Sequence, residues 1–178
     1  MKYKKGTRPT AIRPKPKKKH RKRRYVLERM KRRAMNPFVV LGMNPSHANL
    51  KVADKTVARV ASVAAEKGHD GWIMLNLYPV RGSDPRRLDA YDRRLARKNA
   101  RAIVKRLKKY GVREVVGAWG DLKVPALRRA KNLVLAELRA AGIEIYYYGA
   151  LTKAGNPRHP NPRKGRWDVD GKRNLLAF

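Results

Sequence analysis

The chain has 178 residues, 46 of them Lys or Arg and 13 Asp or Glu, a formal net charge of +33. One-sign charge of that size repels itself in a folded body unless a polyanion neutralises it, and surfaces shaped only by solubility mix both signs. The expected partner is therefore nucleic acid. Cys is absent, which excludes disulfides, thiolate metal sites and iron–sulfur clusters. No apolar run reaches the roughly 18 residues of a membrane helix, and no apolar segment follows the basic start as it does in a secretory signal. The expected location is the cytoplasm, with no membrane partner. The oligomeric state is left open.

The charge is spread along the chain. Residues 1–35 hold 17 of the cations and one acid, Glu28, and residues 36–178 still carry a net +17. Residues 1–23 contain Pro9, Pro14 and Pro16 among many cations and hold too few apolar residues to fold, so they are expected to be a disordered basic tail. Within it, Lys17 to Arg24 also has the composition of a nuclear import signal, a non-specific pattern. Residues 24–178 are expected to be a single domain, long enough for one core.

In chain order, Tyr25, Val26 and Leu27 suit a short edge strand, and Pro37 to Gly42 is a buried-strand run ending in a turn. Asp54 can cap a helix on which Val57, Val60, Ala61 and Ala64 share a face, with Gly68 ending it. Trp72 to Leu77 is a second apolar run, residues 90–110 form a helix, and Arg113 to Trp119 a third strand. A helix over 124–141 has Pro125 in its first turn and Gly142 just beyond its end, and Ile143 to Gly149 is a fourth strand. Strands alternating with helices predict an α/β fold, with three α/β/α layers and a mainly parallel central sheet of about four strands.

At about 100° per residue, Arg93, Arg94, Arg97, Arg101, Lys105 and Lys108 fall within about 120° of arc on the second helix, and Ala96, Ala100, Ile103, Leu107 and Tyr110 occupy a separate arc of about 80°. One face is expected on the sheet and the other as a basic stripe for phosphates. No Glu interrupts that stripe.

Ligands of open α/β sheets bind at the carboxyl ends of the strands. Four segments are expected there: residues 42–47, 75–81, 118–121 and 151–162. Each carries polar or turn residues, and together they describe a pocket. From Tyr25 to Pro160 the chain resembles a bacterial and phage family, domain of unknown function 1643. The resemblance rests on Arg24-Tyr25, Leu41 to Ser46, Asp54 to Val57, Asn76 to Pro85, Trp119-Gly120, Leu151 to Pro157 and His159-Pro160.

The same segments, in the same order, are more distantly similar to the uracil-DNA glycosylase superfamily. That superfamily has a Gly-x-(Asp/Asn)-Pro loop after the first strand, an Asn ending the second, a Trp-Gly after the third and a His-Pro-Ser or Asn-Pro-Ser after the last. The resemblance implies that Asn44 positions a water, that Asn76 reads the Watson–Crick edge of a flipped base, and that His159 stabilises the departing base anion. Gly42 and Ser46 complete the base-binding set, and Ser46, small where uracil-specific members carry a Tyr, implies room for thymine or a larger 5-substituted base. Asn44 has no carboxylate to take a proton from water, which implies a slow reaction or a better leaving group. His159-Pro160-Asn161 departs from His-Pro-Ser. Arg81 and, beyond the histidine, Arg163 and Lys164 are expected to meet the nucleic-acid backbone, with Trp167 a lesser candidate for stacking on a base.

No His/Asp/Glu cluster has metal-ligand spacing and no Gly-x-x-x-x-Gly-Lys loop is present, so no metal or other cofactor is expected. Two readings follow. One is an enzyme acting on a pyrimidine base in DNA, releasing it or modifying it in place. The other is a non-catalytic DNA- or RNA-binding protein of ribosomal or packaging type, which uses the charge alone. DNA is favoured and RNA is possible.

Overall fold

Apolar runs and 3.6-residue periodicities divide the chain into short strands and three amphipathic helices. The computed structural model describes residues 1–15, 22–31, 36–84, 88, 90–162 and 167–178. The elements are β1 (Ala11–Arg13), β2 (Val26–Met30), β3 (Pro37–Gly42), α1 (Lys55–Glu66), β4 (Gly71–Asn76), α2 (Arg93–Lys109), β5 (Glu114–Gly117), α3 (Pro125–Ala140), β6 (Glu144–Tyr148) and β7 (Arg173–Leu175).

Local chemistry sets the helix ends. The Asp54 carboxylate accepts from Val57 N at 2.8 Å and starts α1, and the Asp92 carboxylate accepts from Leu95 N at 2.9 Å and starts α2. α3 has no side-chain cap and begins instead at Pro125, whose missing N–H leaves one fewer donor to satisfy. No helix among the described residues is long and apolar enough to cross a membrane.

The strands form one sheet in the order β1-β2-β4-β3-β5-β6-β7. β4, β3, β5 and β6 run parallel, β2 is antiparallel to β4, β1 to β2, and β7 to β6. The sheet is thus a seven-stranded mixed sheet, larger than the expected four. The four parallel strands are its centre, and antiparallel strands extend both sides. β2 does not lie at an edge, because β1 pairs along its outer side with Ala11 opposite Glu28.

Alternate residues of β3 divide between two cores. Val39 and Leu41 pack with Leu95, Ile103 and Leu107 of α2 and with Leu127, Val134 and Leu138 of α3. Phe38 and Val40 pack with Val57, Val60 and Ala64 of α1. Trp167 belongs to this second core, 4 % exposed and edge-on to Tyr148 at 6.4 Å. Burial removes it as a stacking platform for a base.

Residues 1–15, assigned by sequence to the disordered tail, lie on the domain. Beyond β1, Met1 O accepts from Ala53 N at 2.9 Å, Lys2 bridges Val52, the Tyr3 hydroxyl donates to Asn49 O at 2.8 Å, and Arg8 Nε donates to Leu50 O at 2.8 Å. Residues 16–21, most of the Lys17–Arg24 run, lie outside the described residues.

Candidate nucleic-acid and base-binding site

The chain enters the parallel part of the sheet at β3, moves outward to β4, then returns past β3 to β5 and on to β6. The direction of winding therefore reverses between β3 and β5. The loops leaving the carboxyl ends of strands on either side of such a reversal diverge, and that is the place where open α/β sheets commonly bind ligands.

Gly42 and Asn76 end adjacent strands as register partners. A Cβ on Gly42 would lie 2.5 Å from Met74 Cε, so the absence of a side chain makes room for the Met74 methyl, and it would meet Asn76 Oδ1 at 3.4 Å. Asn76 is fully buried, and neither its Nδ2 nor its Oδ1 has a hydrogen-bond partner. Each buried polar atom left unpaired costs roughly 1–3 kcal/mol. The Asn76 backbone is fixed by Asn99 of α2, whose Nδ2 donates to Asn76 O at 2.8 Å and Leu77 O at 3.1 Å.

Asn44 lies on the loop after β3 and donates through Nδ2 to Gly82 O at 2.9 Å, which ties that loop to the one after β4. Ser46 is partly buried, with its hydroxyl 3.2 Å from Nδ1 of the exposed His47. Arg81 donates through Nη1 to Ser46 O at 2.9 Å and Ala48 O at 3.1 Å, so it holds the β3–α1 loop as well as facing outward.

His159 rests on the loop after β5. Gly120 has φ +67, and a Cβ there would lie 3.2 Å from His159 Cβ. Gly120 N donates to Pro157 O at 2.8 Å, and the buried Trp119 donates through Nε1 to Asn156 Oδ1 at 3.1 Å. Asn156 is held in turn by the Asp121 carboxylate at 3.2 Å, which also accepts from the Thr152 hydroxyl at 2.5 Å. This network seats the segment that carries the histidine.

Burial lowers the His159 pKa, against a smaller raising effect from the Asn161 carbonyl and the Asp54 charge, and keeps the ring neutral near neutral pH. Asn161 N donates to His159 Nδ1 at 3.1 Å. That contact suits a ring proton on Nε2. The Asn161 carbonyl, 3.2 Å from the same nitrogen, suits the other tautomer.

The α2 stripe is in place: Arg93, Arg94, Arg97, Arg101, Lys105 and Lys108 are all exposed. Arg163, Lys164 and Pro85 lie outside the described residues. Among the described residues, no group of three His, Asp or Glu side chains could hold a metal ion. Two cavities of about 320 and 360 Å³ open instead at the amino ends of β3, β4 and β5, beside Gly71 and beside Pro37 and Glu114. Neither touches a residue of the predicted site.

A family model described as protein of unknown function, DUF1643, matches residues 24–161. The chain belongs to that family. No curated protein and no solved structure matches it. The DUF1643 match opens at Arg24 and closes at Asn161, the residue whose backbone meets His159. β1 and β7, at the two edges of the sheet, lie outside it. Arg24 and Asn99 had no part in the sequence-predicted site, and Asp121, Thr152 and Asn156 lay in its expected segments without a role of their own. Asn99 did leave a signal, since it interrupts the i, i+4 row Leu95–Ile103–Leu107 on the buried face of α2.

Proposed function

We propose that the chain binds nucleic acid, DNA in preference to RNA, and acts on a pyrimidine base through a uracil-DNA-glycosylase-like pocket in a three-layer α/β/α fold. The observation that carries this reading is the Asn76 amide, sealed in the protein with its donor and acceptor both unpaired. A carboxamide presents one acceptor and one donor side by side. That pair matches N3–H and O4 of uracil or thymine, so a flipped keto-pyrimidine supplies both missing partners at once.

The neighbouring groups suit release of such a base. Water adds its oxygen to C1′, and the C1′–N1 bond breaks with its electron pair leaving on the base. The water's proton passes through solvent to the base. Asn44 Oδ1 orients the water without taking its proton. A neutral His159 donates from Nε2 to O2, where the negative charge of the leaving base collects. The small Ser46 leaves space at the 5-position, and Gly42, the register partner of Asn76, completes the base-binding set. The exposed stripe of α2 and Arg81 supply phosphate contacts.

The test is a panel of duplex and single-stranded oligonucleotides bearing uracil, a thymine mismatch or a 5-substituted uracil, each incubated with the protein and then heated in alkali. Cleavage of one substrate, lost with Asn44→Ala/His159→Ala, is the expected result. Salt-sensitive binding with no cleavage, no change in base mass and no effect of the double substitution would replace the enzyme with the non-catalytic binder.

A further inference from the structure

Among the motif residues without a role in the base pocket are Arg24 and Asp54, which lie beside Arg81. Arg24 is 1 % exposed, a rare environment for a guanidinium. It donates through Nη1 to Ala48 O at 2.9 Å, the same carbonyl that Arg81 Nη1 reaches at 3.1 Å. Two cations therefore converge on one oxygen atom. The acid that faces both is Asp54, whose Oδ1 is already engaged on Val57 N at the start of α1. Tyr3, the other titratable group facing them, is held neutral by burial, and the ring of His159, which also faces Asp54, is held neutral as well. Among the described residues the cluster is one positive charge in excess, and Arg24 Nε is buried with no hydrogen-bond partner. Burial, and then the Arg81 charge, push the Arg24 guanidinium down to about 10.

A buried charge in excess is costly unless a counter-charge meets it. Two guanidiniums and a free N–H form a donor set fitted to a tetrahedral oxyanion. We propose that Arg24 and Arg81 form a phosphate seat on the β3–α1 loop, in which the partly exposed Arg81 contacts the anion and the buried Arg24 supplies charge and the unpaired Nε–H behind it. The seat lies at the same sheet edge as Asn76, because Arg24 N donates to Pro79 O just past the end of β4. Its ligand class is a phosphate mono- or diester. The nucleic-acid reading names only the source of that phosphate, and the seat stands without it.

The experiment is a titration of the full-length ¹⁵N-labelled chain, following the arginine Nε–Hε signals, with sodium phosphate added against sodium chloride at fixed ionic strength. Thymidine 5′-monophosphate and thymidine form a second pair of titrants. Arg24→Lys and Arg81→Lys assign the two signals. The expected result is that the Arg24 and Arg81 signals shift together and saturate with one Kd in phosphate and in the nucleotide, with no response to thymidine. Arg81→Gln is expected to weaken binding roughly tenfold, the loss of one charge-assisted contact. Asp54→Asn keeps the helix cap, removes the competing negative charge and tightens binding. Signals that drift linearly, as little as those of Arg93 and Arg97, overturn the seat, and the wild-type titration decides this even if Arg24→Lys does not fold. Saturation without any base release in the oligonucleotide test leaves the seat standing and removes the glycosylase reading. Base release without saturation does the reverse.

Discussion

At the scale of single residues, Asn76 is the side chain whose environment least suits a structural role. A buried carboxamide with no partner destabilises the fold, and function commonly retains such groups at a cost in stability. Asn76→Leu is therefore expected to raise the unfolding free energy by about 1 kcal/mol in urea melts while abolishing binding of the base. A loss of stability would mean that the amide has a structural partner. His159 sits in the opposite situation, held by its loop and depressed in pKa by burial. Because its folded pKa lies below the ordinary value near 6.5, the unfolded chain takes up the proton first as pH falls. The ring's contribution to stability is present above about pH 6.5 and is lost as pH falls through the folded pKa. Wild-type protein should thus lose more stability than His159→Gln between about pH 8 and about pH 5, measured by urea unfolding at each pH. Parallel curves would contradict it. The sequence showed Asn76 and His159 as motif positions but not that Asn76 is fully buried and His159 half-buried, the latter packed against the loop at Gly120. Arg24 was harder still to read. One arginine among 46 cations carries no mark of burial, and only the partner loop at Ala48 distinguishes it.

At the scale of elements, the apolar runs and caps were legible because each is local. Asp54, Asp92 and Pro125 start helices by satisfying or removing orphan donors within one turn, and β3 and β4 are buried runs five or six residues long. The edges were not legible. β1 and β7 are three-residue strands without apolar alternation, and they exist because β2 and β6 offer unpaired backbone to dock on. The link between β2 and α2 was equally invisible, because it joins residues far apart in sequence. Glu28, the one acid among the first 35 residues, is 1 % exposed and pairs with both sides of the Arg106 guanidinium. Arg106 also donates to the Tyr110 hydroxyl at 2.8 Å. Glu28→Ala leaves that guanidinium without its carboxylate in a largely dry site, so a destabilisation of about 3 kcal/mol is expected, as for a buried pair that loses one partner. A change below about 0.5 kcal/mol in urea melts, typical of a surface position, would contradict the pairing.

At the scale of the whole molecule, the proposed nucleic-acid binding rests on the net charge of +33, and the fold decides how that charge is presented. The α2 stripe faces solvent along the length of the helix. If Arg97 and Arg101 each meet a phosphate, Arg97→Gln/Arg101→Gln lowers the log–log salt slope of duplex DNA binding by about 1.8, roughly 0.9 per contact. An unchanged slope would place the phosphates elsewhere. The basic start of the chain is tied to the domain by β1 and by the contacts of residues 1–8 with residues 49–53. Removing residues 1–23 is thus expected to lower Tm as well as affinity, where loss of a free tail would lower affinity alone.

The central claim is that the carboxyl edge of the sheet holds a keto-pyrimidine on the Asn76 amide. Its most direct test follows the Asn76 side-chain NH₂ signals of the ¹⁵N-labelled protein during titration with uracil, thymine, cytosine and adenine as free bases. Saturable shifts with uracil or thymine, absent with cytosine and adenine, are predicted. A silent Asn76 amide with all four bases, in a protein that still binds DNA, would contradict the account and leave charge as the whole of its recognition.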